Sequence, residues 1–262
     1  MPNQYEHLQI NKQSGITTVF LNRDDDKNAL NESLIIELTD FSRKIRKDLE
    51  TRVVVFNAKG KNFSVGHDLK DVDDHQHLFE RWKHRVGSDL IESILNIEQI
   101  TICSLKGFCL GGGAVIASAC DFRIASLDTQ VGYPEINLGM NLSWAGLPLA
   151  ISLVGVSKAK QMVIGGDLYE VNNLLNWGFI DEIFDPADES ACLDKWCEKY
   201  KSKSPLAVQM IKRSTNEVAL SVAKTIMHSD YDQLLLTTYS EEQIKAIDDF
   251  RQKKNKSSIG SA

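Results

Sequence analysis

The chain has 262 residues, 42% hydrophobic and 25% charged, which is ample apolar material for one large domain or two small ones. A formal net charge of −6 and a pI near 5.6 argue against a nucleic-acid partner held on a broad basic face. Five cysteines without C-x-x-C spacing read as buried thiols in a reducing compartment. The start M-P-N-Q-Y-E-H-L shows no leader pattern, so a cytoplasmic protein is expected.

His7 to Asn11 and Ile16 to Leu21 read as strands joined by K-Q-S-G, a hairpin pattern. After the polar loop L-N-R-D-D-D-K-N-A-L-N, Asn31 stands as the N-cap of a helix. Leu34, Ile35, Leu38, Phe41 and Ile45 share one of its faces. Arg52 to Phe56 is an unbroken apolar run, the pattern of a strand buried on both faces. From about His75 to Asn96, Leu78, Trp82, Val86, Leu90 and Ile94 recur every four residues and predict one helix. Of His75, His77 and His84, only the last two are spaced to share a face. No H-E-x-x-H accompanies them, and no metal is expected.

Thr101 to Leu105 predicts a strand, Gly113 to about Ala119 a helix, and Phe122 to Ala125 another strand, followed by a loop carrying Tyr133-Pro134-Glu135. Gly111 to Gly113 remove every Cβ from a helix mouth whose first N–H groups have no acceptor in the helix. Those amides and the positive end of the helix dipole suit an oxyanion. The plainer alternative is that the glycines only let the helix pack close to a strand. Helices are predicted from Ala145 to Leu153, and from a Ser157 cap to Gly165-Gly166. The apolar run from Ala145 to Val156 contains Pro148 and is too short to span a bilayer, so no membrane partner is expected. Leu174 to Trp177 and Ile180 to Phe184 read as a short helix and a strand. Beyond Asp188 the pattern is helical, with a new start at Pro205. This order predicts an α/β core over residues 1–200 and a helical C-terminal module over residues 201–262.

Two glycine loops, Ser64-Val65-Gly66-His67-Asp68-Leu69-Lys70 and Gly111-Gly112-Gly113, each follow a buried-strand pattern and can aim two amides at one oxygen. Five motifs extend over nearly the whole chain: L-N-R…N-A-L-N (Leu21 to Asn31), F-S-x-G-x-D-L (Phe63 to Leu69), G-x-x-L-G-G-G then C-D (Gly107 to Asp121), P-E-x-x-L-G (Pro134 to Gly139) and L-V-G-x-x-K-A (Leu153 to Ala159). Together they resemble the crotonase family of enoyl-CoA hydratases and isomerases, enzymes of fatty acid metabolism. The resemblance implies a crotonase-like spiral of ββα units, with a helical C-terminal oligomerisation module that forms a homotrimer or homohexamer. It also implies an acyl-CoA thioester substrate, with coenzyme A as part of the substrate and no separate cofactor. By the same resemblance, the amides of His67 and Gly112, flanked by Gly66 and Gly111, hold the thioester carbonyl. Asp68, Leu69 and Lys70 line the entry for pantetheine and nucleotide. Arg23 and the Lys27-Asn28-Ala29 segment belong to the adenine-side loop.

The chain departs from the family pattern at three places. His67 replaces a residue that is usually small. Val115 stands where hydratases carry one of two glutamates, which leaves Glu135 as the acid/base. Asn141-Leu142-Ser143-Trp144-Ala145-Gly146 replaces the P-G-x-G-G turn. Water addition divides well between two carboxylates, whereas moving a double bond needs one group that takes a proton from C2 and returns it at C4. The expectation therefore leans to 3,2-enoyl-CoA isomerisation. Hydration, with Asn141 or Ser143 orienting a water, is the alternative, and a non-catalytic CoA-binding protein is a further one. A serine hydrolase finds no G-x-S-x-G and no base for Ser118.

Overall fold

The computed structural model describes residues 5–69 and 77–249. Strands β1 (Leu8–Gln13) and β2 (Ile16–Leu21) pair antiparallel around Ser14-Gly15, both at positive φ, the two-residue turn that matches strand twist. Parallel to β2 then run β3 (Val53–Ala58), β4 (Ile100–Leu105), β6 (Phe122–Ser126) and β9 (Glu182–Phe184), in the order β1-β2-β3-β4-β6-β9. A second sheet has three short strands, β5 (Phe108–Leu110), β7 (Gln130–Gly132) and β8 (Leu168–Glu170).

Side-chain alternation assigns the two faces of the main sheet. Val54, Phe56, Cys103 and Leu105 join the larger core, under α1 (Glu32–Ile45), α3 (Val86–Leu95) and α4 (Gly112–Ala119). Val53, Val55, Ile100 and Ile102 face the other way, onto Cys192, Trp196 and Cys197 of α7 (Glu189–Lys201). Asn31 caps α1 as expected, its Oδ1 accepting from the Leu34 N–H at 3.0 Å. All five cysteines are free and buried.

The single helix expected to about Asn96 is two, α2 (Leu78–Lys83) and α3, broken at His84 and Arg85. The part of that expectation before His77 lies outside the described residues. Only α3 joins the core. Leu78 and Trp82 stay exposed, and α2 instead meets α9 (Asp230–Thr237), where the Trp82 indole donates to Asp232 at 2.7 Å. His77 caps α2 through Nδ1, and His84 faces Glu32 at 3.2 Å. The two helices expected here are present and run together as α5 (Gly146–Gly165) across a break at Gly155, two residues before the expected Ser157 cap. Taken together the 20 residues have the length and hydropathy of a membrane-crossing helix, but the non-helical Gly155 (φ 75°, ψ 166°) divides them into two shorter helices.

α6 (Val171–Trp177) leads into β9. α8 (Pro205–Ala219) is fixed to the main sheet by Lys212, whose ammonium lies 2.6 Å from Asp121 and donates to the Gln99 carbonyl at 2.7 Å. Asp121 also accepts from the backbone and hydroxyl of Thr101. The final turns fold back over the 139–145 segment: the Asn141 N–H donates to Thr237 Oγ1, and the Asn141 amide donates to Gln233.

Candidate active site

The first glycine loop is held by backbone on both sides. Ser64 donates to the Phe108 carbonyl and accepts from Leu110 N–H, extending β5 by one bridge. Its hydroxyl donates to the Asn28 carbonyl and accepts from the Gly66 N–H. Leu30 donates to the Gly66 carbonyl and accepts from Asp68 N–H, so His67 sits in a strand-like bridge. Gly66 takes φ +88°, and a Cβ there would stand 2.9 Å from the Leu110 carbonyl oxygen and 3.4 Å from the Gly112 nitrogen. The two loops therefore meet backbone to backbone, a contact that a side chain at this position would break.

Each glycine of the triplet makes room for a different neighbour. A Cβ on Gly111 (φ +52°) would fall 2.7 Å from Glu135 Oε1, one on Gly112 2.6 Å from the Trp144 ring, and one on Gly113 2.8 Å from Ser64 Cβ. Close packing is thus one role of these glycines. Gly112 also opens α4, where the helix offers its amide no acceptor.

Glu135 lies in a single 3-10 turn, Pro134–Leu138, closed by left-handed Gly139. Although the residue is partly exposed, its Oε2 is sealed and has no hydrogen-bond partner among the described residues. Burial pushes the carboxyl up to about 7, opposed by a hydrogen bond from its own backbone N–H. Val115, one turn into α4, is buried, and its methyl lies 2.8 Å from where a Cβ on Gly146 would stand. Glu135 is thus a carboxylate with one sealed oxygen, beside a glycine whose neighbouring amide opens a helix.

The remaining expected residues cluster around the first loop. The Arg23 guanidinium braces it, donating to the Ala29 carbonyl and lying 2.9 Å from Asp26 and 3.5 Å from buried Asp68. Lys27 is exposed and left-handed (φ 54°), Ala29 is buried, and Leu69 is half-buried. Lys70 lies outside the described residues. Asn141 and Ser143 belong to the turn under α9, where the Asn141 side chain is engaged by Gln233. Ser118 is hydrogen-bonded to the Tyr133 hydroxyl at 2.7 Å and donates to the Ala114 carbonyl, a buried structural pair.

Two residues of the sequence motifs make contacts that the sequence did not announce. Asn28 is buried, and its amide donates to the Lys59 and Asn62 carbonyls, tying the two polar loops together. Trp144 lies against Gly112 and against Gly87 of α3, with its ring edge-to-face with His67 at 5.9 Å. A lone glycine inside the α3 pattern, at Gly87, was the available sign of such a close approach.

The family model for enoyl-CoA hydratase/isomerase matches residues 11–257. The chain belongs to the enoyl-CoA hydratase/isomerase family. It is similar to a crotonyl-CoA hydratase of Syntrophomonas wolfei, 26% identical over 95% of this chain and 96% of that protein. It is also similar to an enoyl-CoA isomerase/hydratase, fer4, of Mycosarcoma maydis, 27% identical over 92% of this chain and 91% of that one. A solved enoyl-CoA hydratase/isomerase from Pseudoalteromonas atlantica shares the fold, with a TM-score of 0.86 at 22% identity over 95% of this chain and 98% of that one. The spiral crotonase-type architecture expected from the motifs is therefore the fold of the chain. Membership makes it an enzyme of this family, and the family implies an acyl-CoA thioester as substrate.

Proposed function

We propose that Glu135 is the single acid/base of an enoyl-CoA isomerase that moves a double bond from C3 to C2 of an acyl-CoA thioester. The observation that carries this reading is a carboxylate with one oxygen sealed and unpartnered among the described residues, set against Gly111 beside the Gly112 amide. Ionised Glu135 removes a proton from C2, and the electron pair moves onto the thioester oxygen as a dienolate. The amides of His67 and Gly112 stabilise that charge. The protonated carboxyl then delivers its proton to C4, the C2–C3 double bond forms, and Glu135 is ionised again. A carboxyl pushed up to about 7 suits a group that must both accept and donate. Val115 contributes no second carboxylate and no polar partner for a water.

Hydration of a 2-enoyl-CoA is the second reading, favoured by the hydratase names of several relatives. Other relatives are named ethylmalonyl-CoA decarboxylases, and decarboxylation of a thioester also passes through an enolate. A panel of 3-enoyl-, 2-enoyl- and 3-hydroxyacyl-CoA substrates in deuterated water separates the readings. Isomerisation with substoichiometric label at C4 is expected. Fast hydration of the 2-enoyl thioester without isomerisation overturns it. Binding without turnover of any of them would leave a CoA-binding protein. The exposed apolar face of α8, with Leu206, Met210, Ile211 and Val218, supports a homotrimer or homohexamer, which light scattering measures directly.

A further inference from the structure

The turn at 143–146 contains two consecutive non-glycine residues in the left-handed region, Trp144 (φ 59°) and Ala145 (φ 60°). Such backbone is disfavoured for L-residues and persists where surrounding contacts over-determine it. Here the contact comes from far along the chain. The Asp230 carboxylate, 7% exposed, accepts the Ala145 N–H across 85 residues. The Gly146 N–H closes the turn on the Ser143 carbonyl. The corner turns the Trp144 side chain inward, leaving it 8% exposed.

The indole reaches a defined place. It lies against Gly87 of α3, where a Cβ would fall 1.8 Å from its Cε2, and its far edge lies against Gly112, where a Cβ would fall 2.6 Å from its Cζ3. Two helices have therefore given up side chains where one indole sits between them. The same ring meets the His67 imidazole edge-on. It thus adjoins both residues whose amides the proposed reaction uses, and it fills the space between α3 and α4 beside them.

We propose that Trp144 is the residue that limits acyl-chain length, and that Asp230 is a positioning residue that holds it in place. The inference rests on the acyl-CoA reading above. A chain leaving the thioester carbonyl toward α3 meets the indole, so short acyl groups fit and longer ones are excluded. Replacing the indole by a methyl group opens an apolar cavity lined by Gly87, Gly112 and Leu30, of the kind that accepts a hydrocarbon.

The test measures affinity for saturated acyl-CoA thioesters from four to ten carbons, so that it does not depend on turnover. Wild type should bind the short members and weaken with length. Trp144→Ala should reverse that trend, gaining about fourfold per added methylene up to the length of the opened cavity. Trp144→Phe, the variant least disturbing to the fold, should shift the profile in the same direction by less. Asp230→Ala should also move the profile toward longer chains, whereas Asp230→Asn, which retains an acceptor for the Ala145 amide, should stay near wild type. Parallel length profiles for wild type and both Trp144 variants overturn the assignment to Trp144. A shift in the Trp144 variants with none in Asp230→Ala overturns the positioning role alone. Wild type that binds no thioester of any length overturns the acyl-CoA reading itself.

Discussion

Part of the candidate site is main chain, the loops around Gly66 and Gly112, and part is side chains, the Glu135 carboxylate, the Val115 methyls and the Trp144 indole. The first part is backbone held mainly by backbone: Leu30 bonds to Gly66 and Asp68, and Ser64 bonds to Phe108 and Leu110, with the Ser64 hydroxyl and the Arg23 guanidinium as added braces. Its shape depends on the absence of side chains, and only glycine fits where Gly66 approaches the Leu110 carbonyl. The second part consists of side chains. Chemistry can therefore change through the side-chain part while the glycine loops stay the same.

The largest expected effect falls on the side-chain part. Glu135→Gln keeps the shape and removes the proton carrier, so turnover should drop by about 10²–10⁴-fold or more. Affinity for a saturated acyl-CoA should stay within a few-fold, because the amides proposed to hold the carbonyl are untouched. Equal loss of binding and turnover would show that the two parts are not separable.

On the backbone part, Gly112→Pro deletes one amide, worth roughly 10²–10³ in rate. Proline is tolerated at the first position of a helix, which Gly112 occupies in α4. Any side chain there also meets the Trp144 ring at 2.6 Å. Gly112→Ala keeps the amide and makes the same approach, so it isolates the steric part. The expected result is a rate for the proline variant far below that of the alanine variant. Equal rates would remove the amide from the mechanism.

The pH dependence tests how far the Glu135 carboxyl is sealed. Burial raises the Glu135 carboxyl from 4.5 to about 7. The folded protein therefore holds a proton that the unfolded chain has lost between those values. The corresponding stability is fully present below pH 4.5 and is lost as pH rises through about 7, on the order of 3 kcal/mol in all. Glu135→Gln carries no such loss, so chemical denaturation at pH 8 should find it more stable than wild type, with the gap closing toward pH 4.5. Turnover should rise with pH through about 7, since the base must be ionised. A gap that is flat with pH would mean that the carboxyl is solvated.

The same division explains what could be read in the sequence. The parallel strands announced themselves because Val53 to Phe56 and Ile100 to Leu105 are buried on both faces. The glycine loops and Glu135 were legible because each sits in a short local motif. β5, β7 and β8, at three residues each, are too short for alternation to register. The break between α2 and α3 has no glycine or proline to mark it. It arises because Trp82 and Arg85 turn to Asp232 on α9, a partner 147 residues beyond Arg85. Trp144 escaped for a related reason: its partners Gly87, Gly112 and Asp230 come from three distant segments, and no periodicity records such a meeting.

The smallest expected effect lies where the backbone part joins the first helix. Leu30 holds the Gly66–Asp68 loop through its own N–H and carbonyl, and the next residue, Asn31, caps α1 by accepting the Leu34 N–H. Asn31→Ala should cost about 1 kcal/mol, the usual worth of a cap, and lower the melting temperature of a chain this size by roughly 2–4 °C. Asn31→Ser should recover most of that loss, because its hydroxyl can accept the same amide. Turnover should hardly change in either variant, since the Leu30 bonds use only main chain. If Asn31→Ala instead lost tenfold in turnover with little change in melting temperature, the position of the loop would depend on the cap. The loop would then depend on a helix cap as well as on its own main-chain bonds, and the contrast between the two parts would fail at the residue where it should be safest.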